Sequence, residues 1–244
     1  MSSNISSISL ENHNNLEMAS PYITLIDPFT SKAIPCLFSD LPNGKVVYSP
    51  ELKPLMGRII DTKPAKELLN NALRHGPLKV LSADKEQAPA GGRWIMSERL
   101  ILIDEEEKTS RKLGHLLFEI ANSLNVEKQL KLSNEALYGL VSKQSYVKRW
   151  EQIEFETAKI FDETIMKCIS NYHWSKESDL SISKLLELSG RNWERHWEII
   201  KNSPHAELFR VDWNTGPGHI YCQKHPKKAD CRKLPQFDKR TMAT

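Results

Sequence analysis

The stretch Arg99-Leu-Ile-Leu-Ile103-Asp-Glu-Glu-Glu-Lys-Thr-Ser-Arg-Lys-Leu-Gly114-His-Leu-Leu-Phe-Glu119-Ile-Ala-Asn122 decides how this chain is read. Leu100 to Ile103 form a short apolar run that fits a buried strand, an acidic linker follows, and a helix then spans 112–125. Leu113, Leu116, Leu117, Ile120 and Leu124 recur at helical spacing and define one core-facing stripe. Working towards the N-terminus, Leu78-Lys-Val-Leu81 reads as a strand, joined to the first by the loop Ala88-Pro-Ala-Gly-Gly-Arg-Trp94. A helix fits Ala65 to Arg74, ended by His75-Gly76-Pro77. Residues 21–60, punctuated by prolines, suit loops and edge strands, with Asn43-Gly44 as a hairpin turn before Lys45-Val-Val-Tyr48. Towards the C-terminus, a long helix is predicted from Ser145 to Tyr172 and shorter ones over Ser181–Leu188 and Asn192–Asn202. A hairpin is predicted from Ala206–Val211 and Gly218–Cys222 around Asn214-Thr-Gly-Pro217.

The expected class is therefore α+β and mainly helical, a small N-terminal sheet packed on a long-helix core. Three parts are expected: a polar tail (1–20), an α+β domain (21–175), and a C-terminal subdomain with a basic tail (176–244). The 244 residues, 39% apolar, suffice for that core. No run of about 18 apolar residues exists, so no membrane span is expected, and the start lacks the layout of a classical secretory signal. Four scattered cysteines are too few for a disulfide-stapled domain, which makes reduced thiols the default. A net charge of +3 does not demand a nucleic-acid partner, although the segment 224–240 is basic.

The order strand, Gly-Gly loop, strand, acidic linker, helix resembles the core of the zincin metallopeptidases, where an edge strand precedes the active-site helix. In that family the helix carries His-Glu-x-x-His, two imidazoles one turn apart holding zinc while the Glu polarises its water. Here the matching residues are Phe118-Glu119-Ile-Ala-Asn122: the Glu is retained and both histidines are absent. Phe cannot ligate, and an Asn amide is a poor zinc ligand beside imidazole. His115 and Glu119 remain one turn apart and fall with Asn122 opposite the apolar stripe. That face is either a solvated one or, as the large aromatic Phe118 upon it suggests, one that something covers or binds.

On the helix 145–172, Val147, Trp150, Ala158, Phe161, Ile165, Cys168 and Tyr172 form an apolar face with Glu154 inside it and Glu151 at its edge. A carboxylate there is costly unless paired, hydrogen-bonded or metal-bound. Pairing with Arg93 or Arg149 is one resolution. Some zincins take a third ligand from a Glu on a downstream helix, and Glu154 resembles it by position. Candidate catalytic residues are thus Glu119, His115 and Glu154, with Phe118, Asn122, Trp94 and Glu151 as candidate binding residues. No cofactor is expected: one imidazole and two carboxylates would hold zinc weakly.

Residues 181–200, Ser-Ile-Ser-Lys through Ile-Ile, followed by the predicted hairpin, resemble a winged helix-turn-helix. That resemblance turns Arg191, Asn192, Arg195 and His196 towards DNA, while Glu194 and Glu198 would repel phosphates. His219, Cys222, His225 and Cys231 allow a zinc knuckle, a Cys222–Cys231 disulfide, or a plain basic tail. The Ser- and Asn-rich start resembles the uncleaved signal of bacterial type III secreted effectors. The resulting expectation is a virulence effector secreted by a non-classical route, with a dedicated chaperone, working in the target-cell cytoplasm on a host protein. It acts through a degenerate zincin-like fold, by recognition ahead of catalysis. A peptide or amide hydrolase using His115, Glu119 and Glu154 comes second, and a winged-helix DNA-binding regulator third.

Overall fold

The run Leu100–Ile103 lies inside a mixed sheet in the computed structural model of the chain, which describes residues 22–26, 31 and 33–233. The expected tail at 1–20 and the end of the basic C-terminal segment lie outside the described residues. The strands are β1 (Tyr22–Ile26), β2 (Ala33–Leu41), β3 (Gly44–Tyr48), β4 (Leu78–Ala83), β5 (Gly92–Ile95) and β6 (Leu100–Asp104), in the order β1-β2-β3-β4-β6-β5. The pairs β3/β4 and β4/β6 are parallel, whereas β1/β2, β2/β3 and β5/β6 are antiparallel. A tight turn at Pro42 and Asn43 joins β2 to β3 through the pair Leu41 and Gly44.

Strand β6 explains why its sequence does not alternate. Ile101 and Ile103 enter the larger core with the helices, while Leu100 and Leu102 enter a second cluster with Cys36, Val47 and Leu81. A strand buried on both faces has no polar side to present. The larger core is closed by α1 (Lys53–Asp61), α2 (Lys63–Leu73), α3 (Thr109–Ser123) and the long α5 (Lys143–Tyr172), with α4 (Val126–Leu137) between the last two. The α+β class and the helix-rich core are as the sequence implies.

Two sequence expectations are corrected by proline placement. The Pro-rich segment after Tyr48 contains α1, with Pro54 in its first turn, where the missing N–H costs no hydrogen bond. The predicted hairpin over 206–222 is instead helical. After α6 (Ile182–Leu188) and α7 (Trp193–Ile200) come α8 (Pro204–Thr215) and α9 (Pro217–Lys224), each with proline in its first turn. Gly216 does mark a turn, but one between two helices. The two helices of the expected helix-turn-helix exist, and α8 and α9 stand where its wing would be. Trp213 of α8 and Tyr221 of α9 form a third core with Leu132, Ala136, Tyr146 and Ile153. Cys222 and Cys231 form a disulfide, which corrects the default of reduced thiols for this pair and removes both from a zinc knuckle. Cys36 and Cys168 are buried free thiols.

Candidate functional site

Helix α3 is buried nearly all round. Its apolar stripe fills the core, and His115, Glu119 and Asn122 on the opposite face are buried as well. The solvated-face alternative is thereby corrected. Phe118, half-buried, is covered from within the molecule, edge-on to Phe161 and packed against the cluster of Phe155, Ala158 and Leu186.

Edge strand β5 and the turn before it lay Gly92 and Gly91 against this face. A Cβ on Gly92 would sit 3.1 Å from His115 Cβ and 3.3 Å from Glu119 Cγ, and one on Gly91 would collide with the His115 ring. Gly91 also adopts φ +86°, a conformation side chains rarely accept. Outside Gly91 lies a cleft of about 400 Å³ lined by Lys85, Asp104, Glu106, Glu107 and Arg111. His115 Nε2 has no hydrogen-bond partner and stands 3.9 Å from Glu107 Oε2. Burial, then the Arg111 charge, lowers the proton affinity of His115 against the pull of Glu107 and Asp104. His115 is therefore walled off by Gly91, on the side of this cleft.

Glu119 ends a one-way chain of hydrogen bonds. Trp94 Nε1 donates to Gln129 Oε1 (2.9 Å), Gln129 Nε2 donates to Asn122 Oδ1 (3.1 Å), and Asn122 Nδ2 donates to Glu119 Oε2 (3.2 Å). Thr157 Oγ1 also donates to Asn122 Oδ1 (3.2 Å), and Asn125 Nδ2 to Thr157 Oγ1 (3.0 Å). Oε2 is thus an acceptor, so a proton on Glu119 belongs on Oε1, the oxygen facing Gly92. Burial, then the nearby Glu154 charge, pushes the Glu119 carboxyl up to about 8, with the Asn122 hydrogen bond opposing.

Glu154 on α5 keeps part of its surface exposed. Burial, opposed by His205 and reinforced by Glu151, pushes it up to about 7, and it too is eased by Asn122. The expected pairing with arginine does not occur: Arg149 is paired with Glu135, and Arg93 reaches the Gln87 carbonyl. Glu151, only 1% exposed, takes both its oxygens to His205 Nδ1, at 3.0 and 3.1 Å. That hydrogen bond raises the proton affinity of His205 against burial.

Of the residues singled out in the sequence, Glu119, Asn122, Glu151 and Glu154 come together where α3 meets α5. Trp94 joins through Gln129, His115 lies on the Gly91 side, and Phe118 belongs to the core. Sequence reasoning missed Gln129, Thr157 and His205. His205 had a legible sign: Ser203-Pro204 before it is a helix start, with Ser203 Oγ accepting from Ala206 N. The candidate DNA-facing residues have internal duties, Arg191 pairing with Asp162 and Asn192 capping α7.

These residues do not fit zinc. Phe118 has no donor, the Asn122 amide is committed at both ends, and among the described residues no three His, Cys, Asp or Glu side chains group so as to hold a metal. Among the described residues no helix is long and apolar enough to cross a membrane. No family model matches this chain, and neither a curated protein nor a solved structure is found similar to it.

Proposed function

We propose that this chain is an effector-type protein acting on a protein of a target cell, and that the junction of α3, α5 and α8 is a metal-free acid–base site for hydrolysis of a peptide or amide bond. The observation that carries this reading is the carboxyl pair. Glu119 and Glu154 lean on one amide, Asn122, and both hold their protons close to neutral pH. Proton transfer is fastest when donor and acceptor affinities lie near the working pH, and carboxyls are moved there by this kind of burial. The strand expected at the sheet edge before the helix, Leu100–Ile103, is internal as β6, and the edge is β5, in the stretch expected to be a loop; what remains of the zincin-like placement is that β5 lies against the helix face that carries the retained Glu119. The secretion part rests on the Ser- and Asn-rich start alone.

The test is a search for new peptide N-termini in a target-cell lysate treated with purified protein. Cleavage that is present with the wild type and lost with Glu119→Gln and Glu154→Gln supports the reading; equal patterns from all three overturn it. Recognition without turnover is favoured by one observation, the near-complete burial of Glu119 and Asn122. On that reading the variants keep a stable complex with the target and no new N-termini arise.

A further inference from the structure

The Glu151–His205 pair has no counterpart in the zincin-like set, and its geometry points to a role of its own. We propose that His205, held by Glu151, is the general base of this site and Glu154 its general acid, acting on an acyl carbon bonded to nitrogen or oxygen. This rests on the acid–base reading above.

The pair is asymmetric. Glu151 is 1% exposed, whereas the His205 side chain is 51% exposed. A carboxylate gripping Nδ1 fixes the tautomer that carries its proton there and leaves the lone pair on Nε2. Nδ1 is engaged by the carboxylate, so Nε2 is the nitrogen left to take a proton. The ring is also held in place: Phe209 meets it edge-on at 5.4 Å and is itself stacked on Trp150 at 5.6 Å. Ser203 and Pro204 start α8 immediately before it, so its backbone is as fixed as a helix start allows. The pair hides the acid and presents the base.

Glu154 lies three residues beyond Glu151, on the same side of α5. In the step, His205 Nε2 takes a proton from water as the water oxygen bonds to the acyl carbon and the carbonyl π pair moves onto its oxygen. The adduct then re-forms the carbonyl and breaks the bond to the leaving nitrogen or oxygen, which takes the Glu154 proton. The products are a carboxylic acid and an amine or alcohol, and the proton on His205 passes through solvent back to Glu154. The working form has His205 neutral and Glu154 protonated. Activity therefore rises as His205 loses its proton and falls as Glu154 loses its own. The charged and titratable groups facing His205 are Glu151 and Glu154 from α5 and His196 from α7.

Two probes separate base from acid. The ester p-nitrophenyl acetate has a leaving group that needs no proton; the amide 7-acetamido-4-methylcoumarin has one that does. His205→Gln is expected to slow ester hydrolysis by about tenfold or more, within the usual range for a general base. Glu151→Gln should slow it and move the rising limb of its pH profile downward, because the carboxylate no longer favours the protonated ring. Glu154→Gln should remove amide turnover while slowing ester hydrolysis by less than His205→Gln does, because the nitrophenolate leaves without a proton. An ester rate no higher than that of free imidazole at the same concentration overturns the proposal, as does a rate unchanged in His205→Gln or a limb that stays put in Glu151→Gln. Amide cleavage that survives His205→Gln but not Glu119→Gln and Glu154→Gln would remove His205 and keep the acid–base reading. Cleavage unaffected by any of these substitutions removes both. Near-ultraviolet circular dichroism of Glu151→Gln separates a lost base from a lost fold.

Discussion

Glu119 and Glu151 are both shut away from water, one on α3 and one on α5, and they have opposite partners. Glu119 is given an amide, the end of a chain of neutral donors, and its carboxyl responds by holding a proton up to about 8. Glu151 is given an imidazole, and the response appears on the partner, whose proton affinity rises. A buried acid can be neutralised by a proton or by a neighbouring cation, and the partner decides which. The first arrangement is sealed under Gly91 and Gly92; the second opens to solvent through His205.

The sealed end breaks most easily at Asn122. Asn122→Ala leaves Glu119, Gln129 and Thr157 each short of a partner, and urea unfolding should register a loss of about 3 kcal/mol. Gly91→Ala comes next: the new methyl meets the His115 ring in a backbone conformation that disfavours it. It should cost about 2 kcal/mol in the same measurement.

A smaller effect distinguishes the two neutralisations by pH. Glu119 is raised from 4.5 to about 8, so the stability it contributes is complete below the lower value and is lost as pH climbs through the upper one. Glu119→Gln should flatten that loss, leaving the variant about 1 to 2 kcal/mol more stable than the wild type at alkaline pH once the rest of the network is intact. His205 is raised above 6.5, so its contribution also fades as pH rises. Because half the ring is in solvent, His205→Gln should change stability by under about 1 kcal/mol, an effect seen only on the acid side of its titration. A Glu151→Gln variant that leaves the His205 C2-proton titration in nuclear magnetic resonance where it stands in the wild type would dissolve the contrast altogether.

Much of the frame was legible in the sequence, because apolar spacing reports burial directly. β4, β6, α2, α3, α5, α6 and α7 lie where the patterns of apolar residues put them. α1, α8 and α9 were hidden by prolines, which mark breaks inside a helix and tolerated starts at its first turn alike; only the following residues tell the two apart. α4 was missed because its apolar face is short. The site was half legible. Glu154 stood out as an acid inside an apolar face, a local signal, and Glu119 through the zincin-like placement of its helix. Gln129, Thr157 and His205 belong to the site only through contacts 7, 35 and 54 residues distant along the chain, and no local pattern encodes those.

The Cys222–Cys231 bond closes a loop of nine residues' separation behind α9. Such bonds persist in oxidising surroundings and are removed where glutathione and thioredoxin hold thiols reduced. The C-terminal end of this protein is therefore a recorder of its surroundings: four alkylatable thiols after denaturation report a reducing compartment, and two report an oxidising one. In the reducing case the chain can be drawn through a narrow pore as a single thread, because no covalent loop remains to pass.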